Sequence, residues 1–549
     1  MSTRLIMLVA LVVLGGGYLV YGRFISRLFG IDPARRTPAH EKYDGVDYVP
    51  ARHWLVLFGH HFSSICAAGP IVGPAIAVAY WGYGVSLVWI LVGGVLLGAV
   101  ADFSSLVVSV RHGGVSISEV AGSVISPRAR VLFTSFILIA LVLVLAVFAH
   151  LAAGTFVEEP DIVLPSVGIL PIAVLAGLLM YRGSAGPLRL AGITVAGLAG
   201  LALLMDAGQR LPVVLPALGP MSPQQTWILL LLAYCFVASV LPVQYLLQPR
   251  DYLSSYVLFA TIGLGVVGAF WSNPTLVAEP ALGFLPSMSV GPLWPMLFVT
   301  IACGAISGFH SVVSSGTTCK QLGSEAHACR IGYGAMLMES LVAVLVVVCV
   351  GAGLTAERHI ELIGQPGGAI TAFGEGYGAV TAAIFGEYGK PFAVMALNFF
   401  ILTTLDTATR LGRYLYSELF GVQGRFLPTA IVVAVAGALA MTGTWQTMWP
   451  AFGASNQLVA ALALLSVGCW LLQRGSAARP ILIPAALMFV TTIGAFVWQV
   501  ASELLVRETP RWSLVAIDVV LVVLSLFVLA EAWSLLRRAR RQTAKGAVG

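Results

Sequence analysis

Two stretches of this sequence set groups that bind ions or move protons inside apolar runs. The first is Gly59-His60-His61-Phe62-Ser63-Ser64-Ile65-Cys66-Ala67-Ala68-Gly69-Pro70-Ile71-Val72-Gly73-Pro74. It combines two histidines, two serines and two Gly-Pro steps. Proline removes a backbone donor, and hydrocarbon offers no replacement partner for the groups left open. Such backbone is tolerated where it is buried in protein or lines a polar cavity. The pattern therefore predicts a helix broken at Gly69, Pro70, Gly73 and Pro74, beside a solute site. The second stretch runs from Thr300 to Thr318. It begins apolar, then becomes a run of Gly, Ser and Thr around His310, with a break predicted at Gly308 and Gly316. Aligning Gly308 with Gly59 places His310 on His61, 249 residues apart. In the topology derived below, the two helices run in opposite directions. That is the mark of an inverted repeat whose substrate site lies where the breaks meet. Two continuous helices with small residues at packing interfaces would give the same composition, so both readings stand.

An unperturbed histidine titrates near pH 6.5. Its neutral ring accepts a proton, and its charged ring holds a carboxylate. His60, His61 and His310 are thus candidate substrate ligands, and His61 and His310 candidate proton carriers; hydrogen-bonded core residues are the alternative. A half-helix N-terminus attracts anions. Gly69 and the hydroxyls of Ser63, Ser64, Ser311, Ser314, Ser315 and Thr317 complete the candidate substrate set. Asp102 and Glu339 lie inside apolar runs, where an ionisable side chain is costly and functional by default. They are predicted as proton-relay groups or as polar anchors between helices. Thr404 and Thr407 offer oxygens to Na⁺, so proton and sodium coupling are both open. Asp406 and Arg410 share a helix face at a four-residue spacing, which predicts an ion pair or gate. Arg250-Asp251-Tyr252 reads as anchoring at a helix end. Asn398, Asn456 and Gln457 suit substrate binding or interhelical hydrogen bonds. Neither GxSxG nor HExxH occurs, and GxxxxGK[ST] is absent. The seven cysteines lack zinc-type spacing. No catalytic residue, metal or cofactor is expected.

The elements that position these groups must be membrane helices. The chain is 58% hydrophobic and 10% charged, against roughly 25% charged in soluble domains. Its 549 residues hold about fifteen apolar runs near the length needed to span. These are 4–22, 54–76, 79–109, 131–152, 166–182, 187–205, 226–246, 254–275, 294–318, 331–353, 391–409, 426–443, 447–471, 480–502 and 513–535. The first run is read as a helix, because Arg23, Arg27, Arg35 and Arg36 follow it and no cleavage site does. With the N-terminus outside, only Arg4, Arg210, Arg358, Lys390, Arg507 and Arg511 of the 30 basic residues fall outside. Arg182, Arg189 and the basic tail fall inside, a positive-inside pattern. The organisation read from this is as follows: 1–53 is a helix and basic cytoplasmic loop, and 54–353 holds both broken helices. Residues 354–390 form an outer segment, with Ile370 to Phe385 as a surface lid or an interfacial helix. Five helices fill 391–535, and 536–549 is a basic tail.

The motifs resemble the carbon starvation protein A family of bacterial inner-membrane transporters. The resemblance rests on Asp44-Gly45-Val46-Asp47-Tyr48-Val49-Pro50, the Gly59–Pro74 stretch and Gly98-Ala99-Val100-Ala101-Asp102-Phe103. It continues through Pro249-Arg250-Asp251-Tyr252, 302–318, 332–339, Leu402-Thr403-Thr404-Leu405-Asp406-Thr407-Ala408-Thr409-Arg410 and 449–457. It implies an all-α polytopic membrane protein with an inverted-repeat, LeuT-like core of the amino-acid/polyamine/organocation group. Members are linked to uptake of peptides and of pyruvate, the latter with protons. The expected function is cation-coupled import of a small carboxylate by alternating access. The partners would be a pyruvate- or peptide-like substrate, a proton or sodium ion, and lipid, with no nucleic acid. A sodium symporter, a channel and a membrane starvation sensor are the rivals.

Overall fold

A computed structural model describes residues 1–549 except 182–185, 218, 289, 366, 443–444 and 547–549, together with the side chains of 187, 442–447, 513 and 535–549. Arg182 and the tail arginines therefore lie outside the described side chains. Among the described residues the chain is helical, with one isolated bridge between Ser2 and Thr275. Among the described residues twelve helices are long and apolar enough to cross a membrane, or thirteen with one bent pair. Thirteen of the fifteen expected spans fall on these. Span 294–318 falls on short helices, and span 426–443 on the shorter apolar helix Phe426–Met441.

The bent pair is α1 (Trp54–Ile65) and α2 (Gly69–Trp81), which meet at 43°. Between them Cys66 leaves helical geometry, with φ −79° and ψ 71°. Pro70 opens α2, where its missing N–H costs nothing. The long helices α3 (Tyr83–Arg111), α4 (Pro127–Glu158) and α5 (Leu247–Ser272) follow. The second broken segment comprises α6 (Ala302–Ala305) and α7 (Gly308–Gly316), joined through extended backbone at Ile306 and Ser307. Next come α8 (Glu325–Gly353), α9 (Gly368–Phe385) and α10 (Gly389–Phe420). The chain ends with α11 (Trp445–Gln473), α12 (Arg479–Leu505) and α13 (Trp512–Gly546).

Both expected broken segments are present, and they cross. A Cβ on Gly69 would lie 2.3 Å from Cys303 Sγ, and one on Gly73 would lie 2.3 Å from the Thr300 carbonyl. Only glycine permits that approach. Two details differ from the sequence reading. Gly73 and Pro74 lie inside α2 rather than at the break. His61 precedes its break whereas His310 follows the other, so the Gly-x-His alignment does not superpose the breaks; Cys66 on Ile306, an offset of 240, does. The segment Ile370 to Phe385 is largely buried in α9, packed against α5, α8 and α10. Its Tyr377 hydroxyl donates to the Thr261 carbonyl at 2.9 Å.

Candidate functional site

Three helices bring one buried cluster together. His310 projects from the first turns of α7, Asp102 from α3 and Glu339 from α8, each wholly buried. His310 Nδ1 lies 3.2 Å from Asp102 Oδ2 and 3.2 Å from Met336 Sδ. His310 Nε2 lies 3.2 Å from Glu339 Oε2. Both ring nitrogens face carboxylates, an arrangement that serves the doubly protonated ring. Two buried carboxylates and a single imidazole share this interior, where unbalanced charge is costly. Cys303 Sγ, His310 and Glu339 also place donor atoms within 4.8 Å of one another, near enough to share a metal ion. Cys303, however, accepts from Asn456 Nδ2 at 3.2 Å, and His310 is already held between two acids.

A second chain of polar groups starts on α1. His60 Nδ1 donates to Asp251 Oδ2 at 2.6 Å, and His60 Nε2 faces Gln321 Nε2 at 3.1 Å. Gln248 Nε2 donates to Gln321 Oε1, which fixes that amide and makes His60 Nε2 an acceptor. Asp251 accepts from Arg250 Nη2 at 2.6 Å, and the other guanidinium edge binds Asp406. Tyr234 adds its hydroxyl to Asp406 Oδ2 at 2.5 Å. His61 Nδ1 lies 2.9 Å from Thr318 Oγ1, while His61 Nε2 has no partner among the described residues.

The structure thus corrects the expected Asp406–Arg410 pair. Asp406 binds Arg250, and Arg410 binds Asp47 at 2.6 Å and the carbonyls of Ala238 and Leu241. Shared helix spacing shows which groups can meet, not which partners a neighbouring element supplies. Arg250 is likewise no interfacial anchor, for it is 1% exposed. Its position at a predicted helix end hid it.

The remaining hydroxyls divide. Ser311 and Ser314 are buried, and their hydroxyls have no partner among the described residues. Ser63 donates to the Asp251 carbonyl at 3.2 Å. Ser64 meets Thr407 Oγ1 at 3.1 Å, and Thr404 donates to the Ser64 carbonyl at 2.8 Å, so α10 grips the end of α1. Ser315 accepts from the Ile117 N–H at 3.2 Å and Thr317 donates to the Val313 carbonyl at 3.2 Å; both are structural contacts. Asn456 Oδ1 accepts from the Phe309 N–H at 2.7 Å and from Ser307 Oγ at 3.1 Å, capping α7. At the start of α2 the Ile71 and Val72 N–H groups donate to the Ala68 carbonyl at 3.1 and 2.8 Å. Asn398 has no side-chain partner among the described residues.

Two ends of the bundle contrast. At the α1 N-terminal end, Asp47 lies between Arg410 and Arg413, and Arg111 Nε binds Glu325 at 2.8 Å. Toward the far end of α2 lies a cavity of about 480 Å³, which reaches Thr300 at the second broken segment.

Crossed broken helices with buried ionisable groups beside them, in a polytopic bundle, are the construction of a secondary transporter. The crystal structure of MhsT in complex with L-phenylalanine shares this LeuT-type fold. It is 10% identical, with a TM-score of 0.52 over 82% of this chain and 98% of that one. The model of the family "Carbon starvation protein CstA" matches residues 2–364 and 354–495, and the chain belongs to that family. Relatives include "Peptide transporter CstA" of Escherichia coli K12, 34% identical over 88% of this chain and 79% of that one. The protein of that name from Bacillus subtilis 168 is 32% identical, over 97% and 96%. "Pyruvate/proton symporter BtsT" of Escherichia coli K12 is 32% identical, over 82% and 74%.

Proposed function

We propose that the protein imports small carboxylate nutrients, short peptides or pyruvate, coupled to protons by alternating access. The observation that carries this reading is His310 held between Asp102 and Glu339, 3.2 Å from each, beside the second helix break. Two buried acids on either side of one imidazole can take up and release protons, with loading that depends on access to either side. His61 Nε2 and the hydroxyls of Ser311 and Ser314, which have no partner among the described residues, supply polar groups for the substrate. The relatives named above are a peptide transporter and a pyruvate/proton symporter, in keeping with both substrates.

The charge pattern favours a bacterial inner-membrane orientation with the N-terminus outside and the C-terminus in the cytoplasm. In that orientation the Asp47–Arg410–Arg413 cluster closes the cytoplasmic end, and the 480 Å³ cavity opens outward. Uptake of labelled pyruvate and dialanine into proteoliposomes, under separately imposed proton and sodium gradients, tests the reading. Saturable accumulation driven by an inward proton gradient and collapsed by a protonophore is expected. Accumulation that follows sodium alone would move coupling to Ser64, Thr404 and Thr407. Flux that never saturates would make the protein a channel.

A further inference from the structure

The cavity between α2, α11, α12 and α13 has its own chemistry, away from the His310 cluster. Its volume of about 480 Å³ lies in the range of roughly 300–1,000 Å³ typical of small-molecule sites, and exceeds what a small keto acid fills. Tyr80, Trp81 and Trp498 wall it, and Glu503, Arg511 and Asp518 line it. Glu503 is shared by two guanidinium groups. Arg507 Nε lies 2.9 Å from its Oε1, and Arg511 binds both oxygens. The cavity thus sets two guanidinium groups against two carboxylates, Glu503 and Asp518. Asp518, on the first turns of α13, is 3% exposed, and its Oδ1 has no partner among the described residues. Its charged neighbours are Glu503 and Arg511. A carboxylate withdrawn from water without a donor is unfavourable, and the aromatic walls favour a cation beside it.

We propose that this cavity is a recognition site for a zwitterionic substrate such as a short peptide, with Asp518 receiving the ammonium group and Arg507 and Arg511 the carboxylate. The inference rests on the transport reading above and narrows its substrate class. A keto acid such as pyruvate fits only the arginine side.

Calorimetric titration of the full-length protein in detergent tests the site without requiring transport. Dialanine, N-acetyl-dialanine and pyruvate are the probes. A hydrogen bond between charged groups supports a discrimination of about tenfold or more, so wild type should bind dialanine at least that much more tightly than the acetylated form. Asp518→Asn should remove the difference and leave pyruvate binding unchanged. Equal binding of the two dialanine forms by wild type would overturn the site, whatever the folding of the variant. So would an Asp518→Asn protein that still discriminates, or wild type that binds neither form. The transport reading fails separately: amine-selective binding with no uptake in proteoliposomes would end it and leave the site standing.

Discussion

Arg250 and Asp406, 156 residues apart, form an ion pair in which neither side chain is more than 2% exposed. Arg250 also holds Asp251, which in turn orients His60. The pair therefore ties α5 to α10 and fixes the tautomer of a histidine next to the first helix break. Removing one partner strands a buried charge, at a cost of about 3–5 kcal/mol. Arg250→Ala and Asp406→Ala should each lower thermal stability in detergent by that order. The double variant Arg250→Met/Asp406→Leu should lose less than either single one. A double loss equal to the sum of the singles would show that the two side chains do not act as a pair.

The His310 cluster predicts a separation of coupling from binding. Glu339→Gln and Asp102→Asn remove a proton site while keeping side-chain size. Both should abolish proton-driven accumulation in proteoliposomes yet retain counterflow of labelled against unlabelled substrate. His310→Ala and His61→Ala should each abolish uptake with the protein still folded. Full accumulation by Glu339→Gln would remove the acid from the mechanism.

Asp102 and Glu339 drew notice in the sequence because each stands alone in an apolar run, and His310 because it sits in a Gly-, Ser- and Thr-rich interruption of one; that the three meet was not legible. The two breaks were legible for a similar reason. Their register was not. Pro70 marks where α2 begins rather than where the chain bends, and Gly73 serves helix crossing. Arg250, Tyr234 and Gln321 were missed as site residues because they sit at helix ends or look like ordinary anchors. Which guanidinium reaches Asp406 depends on the placement of α5 beside α10, and spacing along one helix carries no such information. Cys303 carried no sequence signal beyond its lack of zinc-type spacing, yet Asn456 Nδ2 donates to its Sγ beside the His310 cluster.

The crossing of α2 with α6 predicts a size limit. A Cβ at Gly69 meets Cys303 Sγ at 2.3 Å and Cys303 Cβ at 2.5 Å. Gly69→Ala should therefore cost about 1–3 kcal/mol through overpacking and slow transport. Cys303→Gly removes both obstructing atoms, so Gly69→Ala/Cys303→Gly should recover much of the loss. Melting temperature and initial uptake rate measure this. A Gly69→Ala protein as stable and as fast as wild type would mean that the two broken helices do not approach so closely.

Asp47 gives the bundle a pH-dependent fastening at the end of α10. Its loop is set by Asp44, whose Oδ1 accepts the N–H groups of Val46, Asp47 and Tyr48 at 2.8–2.9 Å. Burial pushes the Asp47 carboxyl up, but Arg410, Arg413 and Lys320 together outweigh that and hold it down at about 2. Because the folded value lies below the ordinary 3.8, the ionised form stabilises the fold. The contribution is complete above about pH 4 and is lost as pH falls toward 2, which amounts to about 2 kcal/mol. Melting temperatures of wild type and Asp47→Asn should therefore differ most near neutral pH and converge as pH drops through 4 toward 2. A gap that stays constant across that interval would mean that the two arginines do not favour the ionised form. Since Arg410 and Arg413 would lose their shared partner, Asp47→Asn should also loosen this end of the bundle, raising uncoupled substrate leak in proteoliposomes at neutral pH while leaving the His310 cluster intact.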